Sequence, residues 1–138
     1  MGYVMLGVWI IQAAVGVSLL VTWARHGRRT AAAAVLAHVS FMVIGLALWV
    51  TYLATGGALW PWLAVTTLCV GIPFGEVMMV RRSRRIRGTR RPRLADYGAA
   101  IGTVFAGRMP PRVGFHALFS AAVFFGSLGV AIGATVAA

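Results

Sequence analysis

The sequence predicts an all-α, single-domain polytopic membrane protein: four transmembrane helices in a bundle plus a short cytoplasmic amphipathic helix. Three observations predict it. The 138 residues are 60% hydrophobic and 11% charged, with a mean hydropathy of +0.86, whereas a soluble domain carries about 25% charged residues. Four apolar runs are each long enough to cross about 30 Å of hydrocarbon at 1.5 Å per residue. The 13 basic side chains, all arginine, are gathered into two of the connections between those runs.

The first span covers residues 3–23. No basic residue precedes it, and Arg25, Arg28 and Arg29 follow it, which is the pattern of a retained anchor rather than a cleaved leader. A basic connection over 24–30 leads to the second span, 31–55. The short turn "TGGA" then leads to the third, 59–80, so the first three spans form an up-down-up series. A longer basic connection, 81–112, precedes the fourth span, 113–137. Within that connection Leu94, Tyr97, Ile101, Val104 and Phe105 recur at helical spacing, Asp96 falls in the first turn and Arg108 in the last. Pro110 and Pro111 end the pattern, which is too short to span and reads as a helix lying in the headgroup layer.

The "TGGA" turn and both termini carry no arginine, so the positive-inside bias puts both basic connections in the cytoplasm and both termini outside a plasma membrane. The densest run, "RRSRRIRGTRRPR" over 81–93, comes without the aromatic interleaving or polar fold of a nucleic-acid binder. Its expected partner is the anionic lipid of the cytoplasmic leaflet, at about 1 kcal/mol per residue near the surface. Nucleic acid is not expected. Lone Cys69 excludes an intrachain disulfide.

Ionisable residues inside a span are costly and point to function. Three qualify: His38, Glu76 and His116. Measured from the nearest cytoplasmic boundary they lie about 10, 7 and 6 Å deep at 1.5 Å per residue, all in the cytoplasmic third. Each span also has a stripe of small or polar residues. The stripes are Gln12 and Gly16 with Trp9; His38, Gly45 and Tyr52 with Trp49; Trp62, Thr66, Cys69, Pro73 and Glu76; and His116, Ser120, Val123 and Ser127. All four stripes are expected to face inward. Trp60 and Trp62, with Tyr3 and Trp9, are expected in the outer aromatic belt.

Two inward histidines from facing helices suit the axial positions of a b-type haem, with Arg81 or Arg112 available to propionates or lipid. The same residues offer a second set, His38, Glu76 and His116, for a divalent metal. A buried Glu76 also suits a proton relay. The plainest alternative is that His38 and His116 hydrogen-bond to Glu76, or to Ser40 and Ser120, and hold helices together. The functions that follow are a haem-binding redox or electron-transfer subunit, an accessory subunit among other membrane subunits or in a homo-oligomer, or a small proton- or metal-coupled transporter. No nucleophile with a base, no cysteine pair and no phosphate loop is present, which argues against a self-contained enzyme.

The runs "WPWLAVTTLCVGIPFGEVMMVRRSRR" and "DYGAAIGTVFAGRMPPRVGFHALFSAAVFFGSLGVAIGA", with basic residues that are arginine alone, resemble a group of small four-span membrane proteins of high-GC actinobacteria. The resemblance covers spans two to four. Its more specific points are Glu76 before the Met-Met-Val-Arg run and His116 after the paired prolines, and it implies the same four-span architecture.

Overall fold

A computed structural model describes residues 1–27, 31–89, 91 and 93–137. Arg28, Arg29 and Arg90, counted above in the basic connections, lie outside the described residues. The chain forms five helices, α1 (Gly2–His26), α2 (Ala32–Thr55), α3 (Leu59–Ile86), α4 (Asp96–Phe105) and α5 (Pro111–Val136). Four of them, α1, α2, α3 and α5, are long and apolar enough to cross a membrane. Their outward residues, among them Ile11, Val43, Ile44, Phe125 and Ile132, are exposed apolar side chains suited to lipid.

The four long helices form a ring in which each touches two neighbours. The closest pairing is α2 with α3, followed by α1 with α5, α3 with α5, and α1 with α2; α1 and α3 sit on one diagonal and α2 and α5 on the other. The α2 to α3 turn is tight because Gly56 takes a left-handed φ of 73° and closes α2 through an N–H bond to the Tyr52 carbonyl at 2.8 Å.

The half of the bundle nearer this turn is filled by Met5, Trp9, Trp49, Ala64, Leu68 and Val123. Three indoles tie helices together there. Trp9 Nε1 donates to Ser127 Oγ at 3.0 Å, Trp49 Nε1 to the Gly2 carbonyl at 3.2 Å, and Trp62 Nε1 to Thr135 Oγ1 at 2.8 Å. Trp9, placed by sequence both on the inward stripe of α1 and near the aromatic belt, follows the stripe and is 3% exposed in this core.

Helix boundaries differ from expectation at the arginine-rich end. α3 runs on to Ile86, six residues past the expected end at Val80, because arginine is a good helix former and nothing in "RRSRRI" breaks the backbone pattern. α5 begins at Pro111 instead of Val113, since proline suits the first helical position, where no N–H is needed.

The inward face of α3 is also corrected. Pro61, Ala64, Val65, Leu68 and Gly71 are buried, whereas Trp62, Thr66, Cys69 and Pro73, expected inside, lie on the exposed side. Small residues let α2 approach closely: a Cβ on Gly71 would come within 2.7 Å of Phe41 Cβ. Thr66 does not need the interior, because its hydroxyl donates to its own helix at the Trp62 carbonyl, 2.9 Å away.

α4 packs across the extension of α3 and touches α5. Asp96 reaches Arg84 and Arg87, while Ala99 and Thr103 both meet Ser83. Were α4 aligned with α3, Thr103 would sit about 10 Å along it from Asp96. Both instead contact α3 within about one turn of Ser83, so the two helices cross. The buried face is Asp96, Ala100, Thr103 and Val104; of the expected apolar stripe, Leu94, Tyr97, Ile101 and Phe105 are exposed.

Candidate functional site: a histidine pair across the bundle

His38 projects from α2 and His116 from α5, and the two rings meet across the diagonal with centroids 6.2 Å apart and planes at 79°. His38 Nδ1 lies 2.9 Å from the Gly71 carbonyl of α3. A carbonyl only accepts, so Nδ1 carries a proton, and in the neutral ring Nε2 then keeps its lone pair. One turn along α3, Gly75 leaves room for the ring: a Cβ there would sit 2.9 Å from His38 Cε1.

His116 has a matching arrangement on α1. A Cβ on Gly16 would lie 3.2 Å from its Cε1, and Gln12 Nε2 donates to the His116 carbonyl at 2.9 Å. His116 Nδ1 and Gln12 Oε1 are both buried without a hydrogen-bond partner among the described residues. The layer therefore has histidines on one diagonal, from α2 and α5, and glycines that face them on the other, from α1 and α3.

Glu76 does not join this pair. It follows Gly75 but is turned about 100° round α3, and its Oε1 accepts the Tyr97 hydroxyl of α4 at 2.6 Å. That bond, with some burial, holds the Tyr97 phenol above its usual 10. Among the described residues no three His, Cys, Asp or Glu side chains gather as a metal-ligand set. The other partners considered for the histidines are also engaged elsewhere or turned away. Ser120 Oγ donates to the Ala117 carbonyl of its own helix at 2.6 Å, and Ser40 is exposed. His26, at the end of α1, is exposed. Arg81 and Arg112 are exposed at the arginine-rich end.

Asp96 anchors α4 to α3. Its Oδ1 accepts Arg87 Nη2 at 2.7 Å, its Oδ2 accepts the Arg93 backbone N–H at 2.9 Å, and Arg84 Nε lies 3.5 Å from Oδ2. The Arg87 hydrogen bond, seconded by the Arg93 N–H, holds the carboxyl below its ordinary 3.8. Ser83 Oγ and Thr103 Oγ1 complete the contact at 2.8 Å. Both carboxylates of the chain thus serve the docking of α4.

The residues that sequence reasoning missed are Gly71, Gly75, Ser83 and Thr103, together with the link from Gln12 to His116. A signal existed for one of them: Gln12 shared an inward stripe with Gly16. No family model, curated protein or solved structure matches this chain.

The donor chemistry of the pair fits two-histidine ligation. His38 has its Nδ1 anchored to a backbone carbonyl, the outer-shell arrangement that orients a ligating imidazole and leaves Nε2 available. His116 has a buried, unpartnered ring nitrogen in the same layer.

Proposed function

We propose that the protein is a plasma-membrane electron-transfer subunit that holds a b-type haem between His38 and His116. The observation that carries this reading is the pair of crossed diagonals, imidazoles from α2 and α5 and glycines facing them from α1 and α3. When bound, the haem would supply one-electron redox chemistry that the side chains themselves lack. The protein's own contribution is to orient His38 through Gly71, to seat the rings against Gly16 and Gly75, and to surround them with apolar helices that keep out water. Arg81 and Arg112 would pair with propionates at the arginine-rich end.

In this reading the arginine-rich connections face the cytoplasm and its anionic lipid, and both termini face outward, as the positive-inside bias favours. Electron transfer needs a donor and an acceptor, so other membrane subunits are the expected partners. The experiment is titration of the purified full-length protein with haem, followed by the rise of a Soret band. One haem per chain, lost in His38→Ala and in His116→Ala, supports the reading; no saturable binding refutes it.

A second reading has its own observation. The bond between His38 Nδ1 and the Gly71 carbonyl joins α2 to α3, so the pair would act as interhelical polar contact in an accessory subunit. Under that reading both alanine variants lower stability and no chromophore binds.

A further inference from the structure

The extension of α3 beyond the apolar core carries Arg81, Arg82, Arg84 and Arg85 and is capped by Arg87, but these arginines are not equivalent. At about 100° per residue, Ser83, Arg84 and Arg87 share the flank that meets α4, where Asp96 pairs with both arginines. Arg82, Arg85 and Ile86 lie on the other flank. Among the described residues the side chains of Arg82 and Arg85 make no ion pair or hydrogen bond, and both residues are exposed. These same three residues line a concavity of about 290 Å³.

We propose that this concavity is a binding site for a phosphate-bearing anion, with the guanidinium groups of Arg82 and Arg85 on the phosphate and Ile86 against its carbon substituent. Arginine suits the task because its planar donors match phosphate oxygens in pairs. Asp96 leaves the site its charge, because the only carboxylate of this region is bound on the opposite flank. The volume lies at the small end of ligand pockets, which run from about 300 Å³ upward, and suits a phosphoglycerol-sized group rather than a nucleotide. Position favours a lipid source. Arg82 is six residues, about 9 Å along the helix, beyond Glu76, which places the pair just outside the apolar segment, where headgroup phosphates lie. Ile86 would then meet the glycerol carbons. The inference concerns α3 alone and does not depend on haem.

The test is calorimetry on the full-length protein in a non-ionic detergent, titrated with short-chain phosphatidylglycerol and, in a separate arm, with inorganic phosphate. The expected result is saturable binding of one phosphatidylglycerol, weakened about tenfold or more in Arg82→Gln/Arg85→Gln and by no more than about twofold in Arg91→Gln/Arg93→Gln, which removes the same charge elsewhere. Much weaker inorganic phosphate binding assigns the site to lipid; equal binding assigns it to a soluble phosphate. Equal losses in the two double variants, or no saturable binding in either arm, would overturn the proposal, because the attraction would then belong to the arginine-rich surface as a whole.

Discussion

Tyr97 donates its hydroxyl to Glu76 Oε1 at 2.6 Å, and this bond commits the one acid of α3 to α4 instead of to the histidines. Glu76 sits beside Gly75, against which His38 packs, yet its carboxylate turns outward to α4. The bond raises the Tyr97 pKa above 10 in the folded protein. A raised folded-state value contributes stability that is present below the unfolded value and disappears as pH climbs through the folded one. Docking of α4 is therefore predicted to weaken in alkali, above about pH 10. Amide exchange in α4 should accelerate over that range in the wild type, and Tyr97→Phe should remove the dependence while loosening α4 by about 1 kcal/mol at neutral pH. An unchanged exchange rate in Tyr97→Phe would show that the bond does not hold α4.

The acid side has the opposite sign. Asp96 has a folded-state pKa below 3.8, so its contribution is present above that value and is lost as pH falls through the lower, folded one. α4 should undock in strong acid without loss of the four long helices. Asp96→Asn should already show the fast exchange at neutral pH, and a wild-type-like α4 in that variant would contradict the assignment.

The glycines divide into two groups that substitution should separate. An alanine Cβ at Gly75 would sit 2.9 Å from His38 Cε1, so Gly75→Ala is predicted to displace the ring and cost about 1–3 kcal/mol. A Cβ at Gly129 or Gly133 meets nothing within 4 Å, so Gly129→Ala and Gly133→Ala should be neutral or stabilising by up to about 1 kcal/mol. Denaturant titration in detergent measures both. These two residues have the four-residue spacing that favours close helix contact, yet among the described residues no other helix packs against them.

Removal of the indole donor from Trp9→Phe should cost about 1–3 kcal/mol, since Ser127 Oγ accepts its N–H in the buried core. Trp62→Phe, whose partner Thr135 lies at an exposed position, should cost less. Comparable losses would mean that the core bond has no special weight.

Much of the fold was legible in the sequence because length and hydropathy determine a spanning helix with little help from tertiary contacts. The four spans, the α4 helix and the inward stripes of α1, α2 and α5 all emerged that way. The face of α3 did not, for a physical reason. Thr66 could satisfy its hydroxyl within its own helix, and the close approach of α2 selected Ala64, Leu68, Gly71 and Gly75 for the interior. Glu76 was misplaced along with that face. The docking of α4 was not legible either: its apolar residues were visible as a stripe, but its polar anchors, Asp96 and Thr103, acquire meaning only when Arg87 and Ser83 are known to lie opposite. Depth and stripe brought His38 and His116 to one level and one side but left open whether the rings meet. The carbonyl that orients His38 was not legible, since backbone groups leave no mark in a sequence.

Whether the histidine pair ligates haem is decided by a dithionite-reduced minus oxidised visible spectrum of the purified full-length protein. A haem held by this pair gives sharp α and Soret bands of a low-spin b-type centre, abolished in His38→Ala and in His116→Ala and retained in Glu76→Gln. A colourless protein that also fails to take up added haem, or bands that survive both histidine variants, would contradict it.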